Sequence, residues 1–171
     1  MSARVVLATD SAGSTRALAA VIAVRCAPGD VLLLVGDLGA GKTTFAQGFG
    51  RALGIDEPIT SPTFTLVRQY EVATGPSGVR TLLHADLYRL DRLAEITDLG
   101  LGQLVEDGGV ALVEWGDAAE TVLGDGSLSV LLVADPTDDD RRSVTVSAEG
   151  AAWAGRWPDL AAALSPWGRR R

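Results

Sequence analysis

Eight residues restrict the possible folds of this chain more than any others. Gly36-Asp37-Leu38-Gly39-Ala40-Gly41-Lys42-Thr43, spaced G-x-x-x-x-G-K-T, lies between a continuous apolar run and a helical pattern. The run is Val31-Leu32-Leu33-Leu34-Val35, which lacks alternation and so marks a strand buried on both faces. Thr43 to Leu53 reads as a helix. A buried strand turning through glycines into a helix is the context in which this spacing cradles phosphate. Gly36, Gly39 and Gly41 can take backbone angles closed to other residues, so that successive N–H groups can turn inward. The helix that starts near Lys42 aims its N-terminal partial positive charge at the same point. Lys42 would place a compact charge between the β- and γ-phosphates, and Thr43 would offer its hydroxyl to Mg²⁺. Lys42 is the only lysine among fifteen basic residues. A point charge on a flexible stem, in place of a planar fork, explains that exception.

A phosphate loop needs an acid at the tip of a neighbouring strand. Val110-Ala111-Leu112-Val113-Glu114 supplies one: four apolar residues and then a carboxylate. Glu114 could ligate the ion directly, act through water or serve as a base, and the sequence leaves all three open. His84-Ala85-Asp86-Leu87-Tyr88-Arg89 follows another apolar strand pattern. If that segment is extended, His84, Asp86 and Tyr88 share one face. Asp86 reads as a water-orienting or metal-linked carboxylate. Thr60-Ser61-Pro62-Thr63 stands where many such proteins carry a switch that senses the γ-phosphate; by itself the stretch would be only a turn.

Around these motifs the chain reads as one α/β domain with a mixed sheet. Val5 to Ala8 is a short strand, followed by a helix bearing Ala17, Leu18, Val21 and Ile22, with Asp10, Ser11 and Ser14 as candidate N-caps. Phe64 to Val72 and Arg80 to His84 read as strands across the turn Gly75-Pro76-Ser77-Gly78. Leu93 to Val105 reads as one broken helix or two short ones split near Gly100. Leu128 to Val133 and Ser143 to Ser147 are late strands, separated by Pro136-Thr137-Asp138-Asp139-Asp140, whose acidic run reads as a solvated turn. The last helix covers about Pro158 to Leu164. The domain spans 1–164, and 165–171 is a tail ending in Arg169-Arg170-Arg171, read as solvated with contact to a nucleic acid as the alternative.

Composition removes several function classes. The formal charge of −7 repels a nucleic-acid backbone, so direct unaided binding to nucleic acid is not expected. A single cysteine, Cys26, excludes an internal disulfide and a thiolate metal cluster; it reads as buried filler at the end of an apolar helix. His84 is the only histidine, which excludes a histidine-built metal site. No apolar run is long enough to span a membrane and no signal peptide is evident, so the expected location is the cytoplasm. The chain has no asparagine, and the guanine-reading N-K-x-D motif is therefore absent. That favours ATP.

The ordered set Gly36 through Thr44, Ser61-Pro62-Thr63-Phe64, His84 through Arg89, and Glu114-Trp115 resembles the TsaE family, over about residues 10 to 150. The resemblance implies a P-loop NTPase fold, with a mixed parallel and antiparallel central sheet flanked by helices. It also implies a Mg-ATP-binding ATPase that joins TsaD and TsaB in making threonylcarbamoyladenosine on tRNA, meeting tRNA only indirectly. Carried over by position, the loop from Gly36 to Thr44 binds nucleotide, Asp37, Leu38 and Ala40 included. Thr43 and Glu114 look like the Mg²⁺ ligands, and Thr63 resembles a switch threonine. Asp86 looks like a catalytic or metal-associated aspartate. Trp115 lies next to the nucleotide or, equally, in the core, and Arg142 resembles a basic position near the nucleotide. Two other classes stay open. A small-molecule kinase would show lid arginines, for which Arg89 and Arg92 are the candidates. A nucleotide-dependent switch would bind without hydrolysis.

Overall fold

The computed structural model describes residues 3–62, 67–73, 75, 78–87, 100–114 and 126–168. Seven strands form one sheet: β1 (Ala3–Thr9), β2 (Val31–Val35), β3 (Val67–Glu71), β4 (Thr81–Asp86), β5 (Gly109–Glu114), β6 (Leu128–Ala134) and β7 (Arg142–Ala148). Their spatial order is β1-β7-β6-β2-β5-β4-β3. The four central strands β6, β2, β5 and β4 run parallel. The outer strands pair antiparallel, β7 with both β6 and β1, and β3 with β4. The sheet is mixed, as the sequence predicts.

Burial follows the apolar patterning. Leu32, Leu33, Leu34 and all six residues of β5 are buried, because continuous apolar strands sit between covering layers. β6 alternates instead, and Leu131 and Val133 lie on an exposed face. Helix α1 (Ala12–Ala23) begins at Ser11, whose hydroxyl accepts the Ser14 N–H. Of the three candidate caps it is Ser11 that serves, and it satisfies one of the donors that a helix start leaves unpaired. Helix α2 (Lys42–Ala52) packs against α1 and buries Phe45 and Phe49, whose rings stack 6.2 Å apart. Each such fully buried ring contributes about 1.5–3 kcal/mol. Cys26 is wholly buried, and burial pushes its thiol well above the usual range; Asp30 adds to that, and Arg156 opposes it.

Helix α3 (Leu101–Glu106) begins after Gly100, whose positive φ of 65° permits the turn, and packs on β4 and β5. Positions 93–99 of the broken-helix reading, and 64–66 of the strand reading, lie outside the described residues. A short α4 (Ala151–Ala154), not apparent in the sequence, precedes α5 (Trp157–Leu164). Arg156 lies between them, stacked 3.9 Å above the buried Trp153 ring and forked onto Asp30 at 2.6 and 2.7 Å. This bidentate pair ties the C-terminal helices to the turn before β2. Ser165–Gly168, read from sequence as the start of a tail, instead fold back. Trp167 donates its indole N–H to Ser14, and Gly168 bridges to Leu7. Among the described residues no helix is long and apolar enough to cross a membrane.

Candidate nucleotide-binding site

The loop leaves the C-terminal end of β2 and closes into α2. Gly39 and Gly41 have φ of 80° and 107°, angles that residues with a side chain rarely adopt. Gly36 is required for a different reason from the one its sequence suggests. It is not among the positive-φ glycines, but a Cβ there would lie 2.6 Å from the Leu132 carbonyl oxygen and 2.9 Å from Ala40 Cβ. The loop therefore lies close against β6, and only a hydrogen fits between them. Lys42 folds back over the loop, donating from Nζ to the Gly36 and Asp37 carbonyls. Asp37, Leu38 and Gly39 are exposed, Ala40 is buried, and Gly41, Thr43 and Thr44 are half-buried around the mouth.

The acid sits where a phosphate loop needs it. β5 is the parallel neighbour of β2, with Leu34 opposite Glu114, so the carboxylate lies at the level where β2 gives way to the loop. Glu114 is 5% exposed. Asp86 is its register partner at the tip of β4, which brings the two predicted carboxylates to adjacent strand ends. His84, two residues earlier on the same face of β4, is fully buried, and its Nε2 lies 2.9 Å from Glu114 Oε1. Sequence reasoning grouped His84 with Asp86 but missed this contact. The pairing spans thirty positions and exists only because β4 and β5 are neighbours.

Arg142 begins β7 and reaches the loop through its backbone. Its Nε donates to Ala40 O at 2.9 Å and its Nη2 to Gly39 O at 3.4 Å, while Nη1 donates to the carbonyls of Asp139 and Arg141. The acidic turn before it is therefore more than solvated surface. Asp138 pairs with Arg141 at 3.2 Å and caps the Asp140 N–H, and the Asp139 carbonyl helps hold Arg142. Asp135 accepts the hydroxyl and N–H of Thr137, which hold its carboxyl below the ordinary range. Between this turn and the β1–α1 junction is a cleft of about 760 Å³, bordered by Thr9, Asp10, Asp135, Arg142 and Trp167. Thr63, Trp115, Tyr88, Arg89, Arg92 and Arg169–Arg171 lie outside the described residues.

Loop, helix and adjoining strand tip are arranged as in the P-loop fold, on a mixed seven-stranded sheet. Residues 9–144 match the family described as threonylcarbamoyl adenosine biosynthesis protein TsaE, and the chain belongs to that family. It is 43% identical over 136 residues to the tRNA threonylcarbamoyladenosine biosynthesis protein TsaE of Bacillus subtilis, covering 80% of each chain. Over 137 residues it is 37% identical to the protein of the same name from Treponema pallidum, covering 80% of this chain and 96% of that one. The crystal structure of Bacillus subtilis YdiB is similar at a TM-score of 0.71 and 36% identity, with 97% of both chains covered.

Proposed function

We propose that this chain is an ATP hydrolase that takes part in threonylcarbamoyladenosine modification of tRNA, acting with TsaD and TsaB. The observation that carries the chemistry is the juxtaposition of the Lys42-capped glycine loop with Glu114 at the tip of the adjacent parallel strand. The names of the relatives supply the pathway.

The loop amides and Lys42 would hold the β- and γ-phosphates, with the dipole of α2 behind them. The residues present fit a hard divalent cation. The Thr43 hydroxyl and the buried Glu114 carboxylate are oxygen donors, and Mg²⁺ is bound through one or two such groups together with phosphates and water. When bound, that cation would neutralise charge on the β- and γ-oxygens. Asp86, at the strand tip beside Glu114, would orient the water whose oxygen bonds to the γ-phosphorus as the bond to the ADP oxygen breaks. The cleft bordered by Thr9 and Asp135 opens beside the Arg142 clamp and would take the nucleoside. Thr63 as switch and Trp115 beside the nucleotide complete the reading on sequence resemblance. The net charge of −7 suits indirect contact with tRNA through partner proteins.

In this inventory Lys42, the cation and the loop amides cover the ground-state phosphates. Arg142, the arginine that contacts the loop, ends its named donors on backbone carbonyls, so a further cation for the transferring phosphoryl group is assigned to a partner protein. Such a cation can be worth on the order of 10³–10⁵ in rate. The protein alone is therefore expected to be a slow ATPase that TsaD and TsaB accelerate. Steady-state phosphate release, measured alone, with both partners, and with Glu114→Gln or Asp86→Ala in the mixture, tests this. Fast turnover in isolation that is indifferent to the partners would refute it.

A further inference from the structure

We infer that His84 is a positioning residue for Glu114: its Nε2–H holds one oxygen of that carboxylate and leaves the other as the oxygen available to a cation. This rests on the proposed magnesium role of Glu114 and deepens it.

A carboxylate that holds a cation is ionised and only accepts hydrogen bonds, so the inference requires that in the 2.9 Å contact Nε2 carries the proton. Nδ1 then has no hydrogen-bond partner among the described residues, although it is buried. A fully buried ring with one unsatisfied nitrogen costs free energy, whereas a leucine at that strand position would not. Packing therefore gives no reason for an imidazole here. The contact with Glu114 does.

Glu114 has a reason to need it. It is a flexible side chain at a strand end, and its register partner is another carboxylate, Asp86. Two acids on adjacent strand tips disfavour a fixed placement of Glu114, and a donor that holds one of its oxygens offsets this. His84 supplies that donor from inside the sheet, where its ring is held by burial on β4. A hydrogen bond from a neighbour that is not itself a ligand is how ligating carboxylates are commonly oriented.

One histidine in the chain makes the first test unambiguous. A long-range ¹H–¹⁵N spectrum of the uniformly labelled full chain, free of cation and nucleotide, reads both ring nitrogens. A protonated Nε2 is expected, whatever Nδ1 carries; a bare Nε2 overturns the inference. The second test measures Mn²⁺ affinity by electron paramagnetic resonance in the presence of ADP. His84→Leu should weaken it by about 10–100-fold, and His84→Gln, which keeps an amide donor, should restore most of the loss. If the leucine variant binds Mn²⁺ like the parent, or the glutamine variant is as weak as leucine, His84 does not position Glu114. If the leucine variant fails to fold, the nitrogen spectrum and the glutamine variant decide. If the parent itself binds ADP but no Mn²⁺, the magnesium reading falls, and the role of His84 toward a cation falls with it.

Discussion

Lys42 is the one lysine of the chain, and among the described residues its ammonium is hydrogen-bonded to the Gly36 and Asp37 carbonyls. Lys42→Ala should therefore leave the fold standing and remove its response to nucleotide. At a hundredfold excess of ligand over its dissociation constant, binding adds about 2.7 kcal/mol of stability. Thermal melts with and without Mg-ATP should show that gain in the parent and none in the variant. Cys26 makes the opposite case, a reactive group that burial silences. It should resist thiol reagents in the native protein and react once urea unfolds it. Its native thiol stays protonated where the unfolded thiol ionises, so the unfolded state binds fewer protons above about pH 8.5. Stability from this group is complete below that pH and declines above it. Urea titrations between pH 8 and 10 should show a slope that Cys26→Ala flattens.

The contact between α1 and α2 shows how one element decides the place of another. Gly48 faces the α1 backbone so closely that a Cβ would lie 2.5 Å from both Cα and O of Arg16. On an isolated helix, alanine in place of glycine would gain up to about 1 kcal/mol. Here overpacking against a rigid backbone costs about 1–3 kcal/mol, and it should win. Gly48→Ala is thus expected to lower the urea midpoint, and an unchanged or raised midpoint would show that the helices can separate without penalty. The same contact carries α2, and with it Lys42 and Thr43, so loosening it should also weaken nucleotide binding.

For the molecule as a whole, the strands on the β6 side of β2 frame the site. β1 and β6 end, and β7 begins, at the edge where the loop leaves β2, and the Arg142 clamp locks that edge to Ala40 and Gly39. The cleft beside it is lined by Thr9, Asp10 and Asp135, and the chain, which has no asparagine, cannot build the guanine-reading motif. ATP or ADP should bind at least about tenfold more tightly than GTP or GDP, a difference of about 1.4 kcal/mol. Competition titration settles it, and equal affinities would remove the ATP assignment.

Local chemistry was enough to make the phosphate loop, the strand before it, the helix after it and the acid at position 114 legible in the sequence. Glycines, a lone lysine and unbroken apolar runs act within a few residues of themselves, so their meaning survives without a fold. The mixed sheet and most strand boundaries were readable for the same reason. What only the tertiary structure decided depends on which strands become neighbours. Gly36 needs its missing side chain because β6 passes beside it. Arg142 grips carbonyls a hundred residues away because β7 begins beside the loop. Ser165–Gly168 leave the tail because Trp167 finds Ser14. His84 meets Glu114 only because β4 and β5 run parallel and in register. No propensity or spacing encodes such contacts, since their partners are chosen by the burial of the whole sheet.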